Sequence, residues 1–360
     1  MRRITLKDVA ADAGLSVSCT ARALKGRPGF PASTCARVRK IADKLGYRPD
    51  PMLMALAAYR QSRKPVSFQG TLAFLTTRFD EKTWLADPEG GELLRGARQR
   101  AESLGYRMDY FNLGKSRKSH QRVGKILQSR GICGALIRSF PVALEELHLP
   151  FEKFTCIDLF SKPHLQKLPT VSSYHTQSME LVLQQLLQRG YRHPALILRN
   201  NLSDYLHHGW QMAFTAYVSR FTQTSTYIHD GELANPVALM RWAKKRKVDV
   251  LIYCGNEYLS HHLLDEKYVS IGRMGVVCMD LFNPRGEVAG IYQNRFWGGA
   301  VAVEWLQSML ITAQVGIVHR PTALMIPGVW QEGRSLNSRL PLRNRKNHLS
   351  PGSGLNYTFR

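Results

Sequence analysis

Three short segments in the first fifty residues carry apolar side chains at helical spacing, and this arrangement most constrains how the chain can fold. Leu6, Val9, Ala10 and Ala13 stand at positions i, i+3, i+4 and i+7, on one face of a helix. Gly14 follows and can end that helix in the left-handed conformation. The spacing therefore predicts a short amphipathic helix over 6–13.

Two further helices are predicted directly after the first. Ser16 is suited to cap a helix from Val17 to about Leu24, because its hydroxyl can accept a bond from an otherwise unpaired amide. Ser33 is placed to cap a third helix, which Gly46 ends. Two short helices joined tightly and followed by a third predict a helix-turn-helix, whose second helix enters the major groove of DNA.

The charge of the chain favours a polyanionic partner. The formal net charge is +23 and the isoelectric point is about 10.0, which is unusual for a metabolic enzyme. Residues 1–64 hold 14 Lys or Arg against 4 Asp or Glu. Basic composition also suits RNA and membrane surfaces, so the nucleic-acid interpretation depends on the helix-turn-helix that presents the charge.

The same residues resemble a known family. Their order and spacing closely resemble the headpiece of the lactose-repressor (LacI/GalR) family of transcriptional regulators, without a gap over about fifty residues. The matching segments are Thr5-Leu6-Lys7-Asp8-Val9-Ala10, Ala13-Gly14-Leu15-Ser16, Arg22-Ala23-Leu24 and Leu45-Gly46-Tyr47-Arg48-Pro49-Asp50.

The resemblance implies which residues read DNA bases. It assigns Val17, Ser18 and Arg22 to the major groove, with Arg22 suited to a guanine and Val17 to methyl contact only. In the alternative interpretation Val17 packs inward and Ser18 is a solvated helix residue. The residues expected at the DNA backbone are Thr5, Lys7, Ser16, Lys25, Arg27 and Ser33.

One departure affects the phosphate contacts. Where the family usually has Thr-Val-Ser after the two reading residues, this chain has Cys19-Thr20-Ala21, so two hydroxyls are displaced. Attraction to the backbone is therefore expected to depend more on Lys7, Lys25, Arg27 and the cations of the third helix.

Residues 51–65 are predicted to form a hinge helix and linker. Pro51 precedes nine strong helix formers, a length that is marginal in water without packing partners. The resemblance implies a hinge helix that pairs with its twin in the minor groove, with Leu56 and Ala57 at the base step and Leu56 as the wedge. An ordinary apolar linker helix is the alternative.

From residue 66 to 333 apolar runs alternate with amphipathic segments. This alternation predicts an α/β domain with doubly wound parallel sheets, and its length suggests two lobes. The predicted strands are 71–76, 107–113, 134–137, 154–159, 195–198, 250–253 and 276–279, and the predicted helices include 93–104, 179–188 and 237–245.

The family resemblance continues here more faintly and implies a small-molecule sensor similar to periplasmic sugar-binding proteins. Its landmarks are Leu94-Arg95-Gly96-Ala97, Gly105-Tyr106, Gln188-Arg189-Gly190-Tyr191-Arg192-His193, Gly209-Trp210, Asn256-Glu257 and Gly328-Val329-Trp330-Gln331-Glu332-Gly333. The residues expected to bind the effector in a cleft between the lobes are Phe79, Trp84, Trp210, Asn256, Asp280, Gln293 and Asn294.

Some effector assignments have alternatives. Large aromatic side chains after strands more often belong to the core, and Asp280 equally suits a helix cap. Leu206 stands where the family commonly has an effector-binding arginine, Glu257 replaces an aspartate, and Ser173-Tyr174-His175 occupies the position of another. Carboxylate and amide groups suit sugar hydroxyls, so a carbohydrate effector is expected.

The remaining features exclude other classes. The six cysteines are scattered, without a Cys-x-x-Cys pair, so neither a zinc site nor a disulfide framework nor a cofactor is expected. Dinucleotide, phosphate-loop and nucleophile-elbow motifs are absent, which argues against an enzyme. Residues 334–360 are basic, contain no acid and are predicted to be a disordered tail.

We therefore expect a sequence-specific transcriptional regulator, a homodimeric repressor that binds operator DNA and a small-molecule effector. The chain has no apolar signal core and no long apolar stretch, so a cytoplasmic, nucleoid-associated location without membrane contact is expected. The alternative is a soluble small-molecule-binding protein, or an α/β enzyme, with an accessory basic domain.

Overall fold

The computed structural model describes residues 4–24, 30–48, 68–138, 146–160, 168–199, 208–229, 236–253, 274–282, 288–317 and 321–336. They divide into two compact units, one of Met1–Ser172 with Arg295–Met325 and the other of Ser173–Asn294 with Ile326–Arg360. No helix in the described ranges is long and apolar enough to cross a membrane.

Three helices form the N-terminal headpiece: α1 (Leu6–Ala13), α2 (Val17–Leu24) and α3 (Ala32–Leu45). They bury a small apolar core that includes Val9, Ala23 and Val38. Gly14 and Gly46 end α1 and α3 at φ of 64° and 68°, as their positions in the sequence predict.

The prediction that Ser33 caps α3 is wrong. The cap residue is Pro31, because its backbone is extended and its carbonyl accepts the first helical bonds, from Thr34 and Cys35. Ser33 is the second residue of the helix and its side chain is exposed.

The first unit also holds a six-stranded sheet in the order β11-β5-β4-β3-β1-β2. The pairings of β1 with β2 and β3, and of β4 with β3 and β5, are parallel. Helices pack on both faces of such a sheet. The elements are β1 (Gly70–Thr76), α4 (Glu81–Ala86), α5 (Pro88–Ser103), β2 (Tyr106–Asn112), α6 (Arg117–Ser129), β3 (Gly134–Arg138), a 3-10 turn (Phe151–Lys153), β4 (Thr155–Leu159), β5 (Thr170–Ser173), α10 (Arg295–Ile311) and β11 (Ala323–Ile326).

Two glycines allow α5 and α10 to pack closely. A Cβ at Gly96 would lie 1.9 Å from the carbonyl oxygen of Phe296, and one at Gly299 would lie 2.2 Å from that of Leu93. On the opposite face of the sheet, Val123 and the other apolar side chains of α6 pack in the core.

The second unit contains the other six-stranded sheet, in the order β12-β10-β9-β8-β6-β7. Its described pairings are parallel except that of β12 with β10. The elements are α7 (His175–Gln188), β6 (Pro194–Arg199), α8 (Gly209–Ala216), a 3-10 turn (Val218–Arg220), β7 (Ser225–His229), α9 (Pro236–Lys245), β8 (Val250–Tyr253), β9 (Gly275–Leu281), β10 (Ala289–Tyr292) and β12 (Val329–Gln331).

The described residues extend beyond the predicted start of the tail at Arg334. The hydroxyl of Ser335 donates to the carbonyl of Val276 at 2.6 Å and accepts from the amide of Ala289 at 2.8 Å. Ser335 is buried, so the prediction of a disordered tail is wrong for residues 334–336. Residues 337–360 lie outside the described part of the chain.

Candidate DNA-binding and effector sites

The start of α1 is fixed by a reciprocal contact between Thr5 and Asp8. The Asp8 carboxylate accepts hydrogen bonds from the backbone N–H and the hydroxyl of Thr5, both at 2.7 Å. The Thr5 hydroxyl already donates its one proton to Asp8. It can donate to a phosphate only by sharing that proton or by giving up the bond to Asp8. The Thr5 backbone and side chain are exposed at the end of the helix.

The turn between α1 and α2 ends at Ser16. Its hydroxyl accepts a hydrogen bond from the backbone N–H of Cys19 at 3.1 Å, as expected of a capping residue. The hydroxyl of Thr20 donates to the carbonyl of Ser16 at 3.0 Å. The hydroxyl and the carbonyl of Ser16 therefore both accept hydrogen bonds at the start of α2.

Helix α2 has one buried side and one exposed side. Thr20 and Ala23 are buried against the other helices of the headpiece. Val17 is 41% exposed, and Ser18 and Arg22 are also exposed. The alternative in which Val17 packs inward is therefore wrong, and the three residues expected to read bases share the outer side of α2.

Arg22 lies next to an aromatic ring. Its guanidinium carbon is 5.6 Å from the ring centroid of Phe30, just before α3. An arginine that stacks in this way loses less side-chain freedom when it makes a bidentate contact to a base.

The departure from the usual family sequence has a structural consequence in α2. The Thr20 hydroxyl is turned into the headpiece, with the side chain fully buried, so it is not available to a phosphate. Cys19 and Ala21 are half-buried and carry no hydroxyl. This part of the helix thus offers no hydroxyl donor to the DNA backbone.

Lys7, Ser16 and Ser33, expected at the DNA backbone, are exposed. Arg37 of α3 donates to the carbonyl of Ala13 at 3.0 Å and so links α3 to the end of α1. Four other predicted contacts, Lys25, Arg27, Leu56 and Ala57, lie outside the described residues.

In the first unit, Phe79 follows the carboxyl end of β1. Its carbonyl accepts from the Tyr110 hydroxyl at 2.9 Å and from the Asn112 amide at 2.8 Å, so side chains of β2 fix this loop. Partial burial raises the pKa of Tyr110 to about 12. The Phe79 ring is exposed and lies under the guanidinium of Arg78, 4.5 Å from carbon to centroid.

Trp84 lies in the same unit but is only 5% exposed. Its ring packs against Phe74 and Phe79, with centroids 6.2 and 6.3 Å away. The indole Nε1 has no hydrogen-bond partner among the described residues. Phe79 and Trp84 are therefore brought together, with the first exposed and the second largely within the core.

In the second unit, Trp210 is 3% exposed and forms part of the core. Its ring meets that of His175 edge-on, with centroids 5.4 Å apart. A Cβ at Gly209 would lie 3.2 Å from the Cβ of His175, so α8 approaches the start of α7 closely. The Trp210 Nε1 also has no hydrogen-bond partner in the described part of the chain.

Asp280, Gln293 and Asn294 lie at the carboxyl ends of β9 and β10, which pair side by side. The Gln293 amide donates to the Met279 carbonyl at 2.6 Å, whereas its Oε1 is buried without a described partner. Asn294 is buried at φ of 54°, in the left-handed region. Asp280 is half-buried, and Asn256 lies outside the described residues.

The headpiece matches a known family. The model of the family described as "Bacterial regulatory proteins, lacI family" matches residues 5–50, which span α1 to α3. The similarity to the lacI family therefore covers the three helices of the headpiece. No curated protein sequence matches the chain significantly.

Solved structures show a similar fold over most of the chain. The lac repressor dimer bound to operator and the anti-inducer ONPF is 16% identical, with a TM-score of 0.53 over 93% of this chain and 99% of that one. The transcriptional regulator CelR in complex with cellobiose is 19% identical, with a TM-score of 0.54 over 92% and 100%. A lacI-family regulator from Rhizobium etli is 18% identical, with a TM-score of 0.58 over 74% and 99%.

One buried cation, Arg138, was not predicted from the sequence. Arg138 ends β3, pairs with Thr76 of β1 and is 6% exposed. Its Nη1 donates to the carbonyls of Leu159 and Phe160 at 3.4 and 2.8 Å. Its position was available from the sequence, since it directly follows the predicted strand 134–137. Within the described ranges, no group of His, Cys, Asp or Glu could hold a metal ion.

Proposed function

We propose that this DNA-binding transcriptional regulator is a homodimeric repressor whose two headpieces read the half-sites of a symmetric operator. Val17, Ser18 and Arg22 are assigned to the base edges, and Lys7, Ser16 and Ser33 to phosphates. The segment 51–65 is assigned to the hinge, with Leu56 and Ala57 in the minor groove. Binding to DNA would place the protein with the nucleoid.

The exposed side of α2 carries this proposal. A helix with one side fixed in a core and polar and methyl-bearing groups on the other is suited to the major groove. An arginine can donate two bonds to O6 and N7 of a guanine, while a valine can contact only a thymine methyl group. The pairing of Arg22 with Phe30 supports this assignment.

The assignment is tested by measuring the affinity for a bound operator and for its single-base variants. Arg22→Ala is expected to reduce discrimination at one base pair of the half-site by about 1–3 kcal/mol. Lys7→Ala, the control, is expected to weaken binding to all variants equally, because it contacts a phosphate. If Arg22→Ala and Lys7→Ala act alike, Arg22 does not read a base.

For the effector we propose a polar, carbohydrate-like molecule. The buried Gln293 Oε1 and Trp210 Nε1 have no partner among the described residues, and such groups cost about 1–3 kcal/mol each when unsatisfied. Asp280 beside Gln293 adds a carboxylate suited to hydroxyl groups. CelR, a relative of the same fold, is described in complex with cellobiose.

Calorimetric titration of the full chain with mono- and disaccharides tests the effector class. We expect saturable binding of at least one sugar, weakened at least tenfold by Asp280→Asn, with Asp109→Asn of the first unit as the control. Failure of all sugars alongside binding of another polar class would contradict the carbohydrate assignment.

The effector would act by binding the DNA-competent and DNA-incompetent forms with different affinity, which is the only way a ligand shifts such an equilibrium. An increase of operator affinity with effector would make it a corepressor, and a decrease would make it an inducer. Regulators of this family are generally not enzymes.

A further inference from the structure

Helix α6, far along the chain from the headpiece, has a strongly basic outer face. Its 13 residues include four Lys or Arg and no Asp or Glu. Lys118, Arg122 and Lys125 are all exposed and stand at i, i+4 and i+7, in one row. At 1.5 Å per residue, the row is about 10 Å long.

Ion pairs within the described part of the chain do not neutralise these cations. Neither these three side chains nor Arg117 forms an ion pair or hydrogen bond with any described residue. By contrast, Arg107 and Arg130 share the carboxylate of Asp109 in the same unit.

The arrangement opposes the stability of the helix. Arg117 and Lys118 lie in the first turn, where the positive end of the helix dipole disfavours cations. Lys118 and Arg122, at i and i+4, have like charges and repel each other. A face that lowers helix stability in this way is typical of a binding surface rather than of a solvated one.

The shape and composition of the face argue against a small-molecule ligand and against an apolar protein interface. An open depression of about 480 Å³ lies over it, and its described lining residues are all from α6: Lys118, Gln121, Arg122, Lys125, Ile126 and Ser129. None of these lining side chains is buried, so they do not form the enclosed polar site that a small ligand needs. No aromatic residue and no exposed large apolar residue of α6 supplies the anchor typical of a protein interface.

We propose that this face of α6 is a second contact for the phosphate backbone of double-stranded DNA, in addition to the headpiece. Binding by charge alone suits a regular polyanion, which carries one phosphate per about 3.4 Å along each strand. A chain already bound to DNA through its headpiece meets further phosphates at high effective concentration. The contact is independent of base sequence, because contacts to phosphates carry no sequence information.

The proposal is tested with the triple variant Lys118→Gln, Arg122→Gln and Lys125→Gln in the full chain. The dependence of log K on log salt concentration is measured on a duplex of random sequence. Each phosphate contact contributes about −0.9 to the slope, so the loss of three contacts is expected to reduce the magnitude of the slope by about 2–3. Between about 50 and 200 mM salt, the decrease in affinity is then about 40-fold smaller than for the unmodified chain.

Helix α9 supplies a control with the same loss of charge. Arg241→Gln, Lys244→Gln and Lys245→Gln remove three exposed cations, of which Lys244 and Lys245 lie in the last turn, where the helix dipole favours positive charge. We expect this variant to leave the slope within 1 of the unmodified chain, and the α6 variant to unfold at an equal or higher temperature.

The outcomes separate this proposal from the DNA-binding function itself. A slope of smaller magnitude for the α6 variant alone, with sequence preference retained, supports the second contact. If the slope changes equally in both variants, the effect is one of net charge alone, and the proposal is overturned. If the slope changes in neither variant, α6 does not contact DNA, the proposal is overturned, and an acidic protein becomes the partner to test. Failure of the unmodified chain to bind any duplex would overturn the function proposed for the headpiece instead.

Discussion

The hydroxyl oxygen of Ser16 accepts a hydrogen bond from the backbone N–H of Cys19 at 3.1 Å. Helix α2 begins at this bond, and the same helix presents Val17, Ser18 and Arg22 to solvent. The capping residue therefore fixes the direction of the side chains that are proposed to read DNA.

Replacing this cap should affect stability and recognition together. Ser16→Ala is expected to lower the free energy of unfolding of the headpiece by about 0.5–2 kcal/mol, because the Cys19 amide loses its acceptor. Ser16→Asp retains an acceptor and is expected to restore most of that stability. Urea unfolding followed by circular dichroism measures both, and equal stability of all three proteins would contradict the role of the cap.

The close contact of α5 with α10 should not tolerate a methyl group. Gly96→Ala places a Cβ 1.9 Å from the backbone oxygen of Phe296, so the two helices must separate. We expect a loss of about 1–3 kcal/mol or more of unfolding free energy, despite the better helix propensity of alanine. The exposed neighbour supplies the control Arg95→Ala, which is expected to change stability by less than about 0.5 kcal/mol.

The sequence predicts the helix ends of the headpiece to within two residues because its signals are local. Gly14, Gly46 and Ser16 mark helix ends through their own backbone or hydroxyl, independently of distant residues. Ser33 fails because Pro31, two residues earlier, already supplies the extended cap conformation. The local rule thus placed the cap of α3 two residues too late.

The α/β part is predicted less completely. Runs such as 250–253 are found as strands because they are buried and apolar, whereas β5 and β7 contain serine and threonine and resemble loops. β11 and β12 gain their strand form by pairing at sheet edges, which depends on residues far away in the sequence.

The candidate effector residues show the same limit. Asp280 and Gln293 were assigned by the family resemblance, and the structure places them at neighbouring strand ends. The burial of Trp84 and Trp210 agrees with the alternative that large aromatic side chains after strands belong to the core, and they pack against Phe74 and His175. Arg138 was not predicted, because the apolar pattern that indicates its strand ends at residue 137, one position before it.

Alkaline pH should destabilise the protein partly through Tyr110. Burial raises the pKa of its folded-state hydroxyl to about 12, above the usual value of 10.0. The contribution is therefore fully present below pH 10 and is lost as the pH rises from 10 to 12, since only the unfolded chain ionises there. Because the side chain is only partly buried, we expect a difference of about 1 kcal/mol.

Comparison with Tyr110→Phe isolates this group from the other tyrosines and the lysines. The variant is expected to lose less stability between pH 10 and 12 than the unmodified protein, as measured by denaturant unfolding. Parallel stability curves for the two proteins in that range would contradict the assignment.

Replacing Gln293 should weaken effector binding while changing the stability of the protein only slightly. Gln293→Met removes both an amide that donates to Met279 and an oxygen without a described partner, so the free energy of unfolding is expected to change by about 1 kcal/mol or less. At 100 times its dissociation constant, an effector is expected to stabilise the unmodified protein by about 2.7 kcal/mol and the variant much less. Equal stabilisation would exclude Gln293 from the effector site.

Selection from a pool of random duplexes, followed by sequencing of the fragments that the full chain retains at near-physiological salt, tests the central claim most directly. A two-fold-symmetric motif is expected, and Arg22→Ala is expected to relax one position in each half-site. Retained fragments without any common motif, or a motif unchanged by Arg22→Ala, would contradict sequence reading by α2.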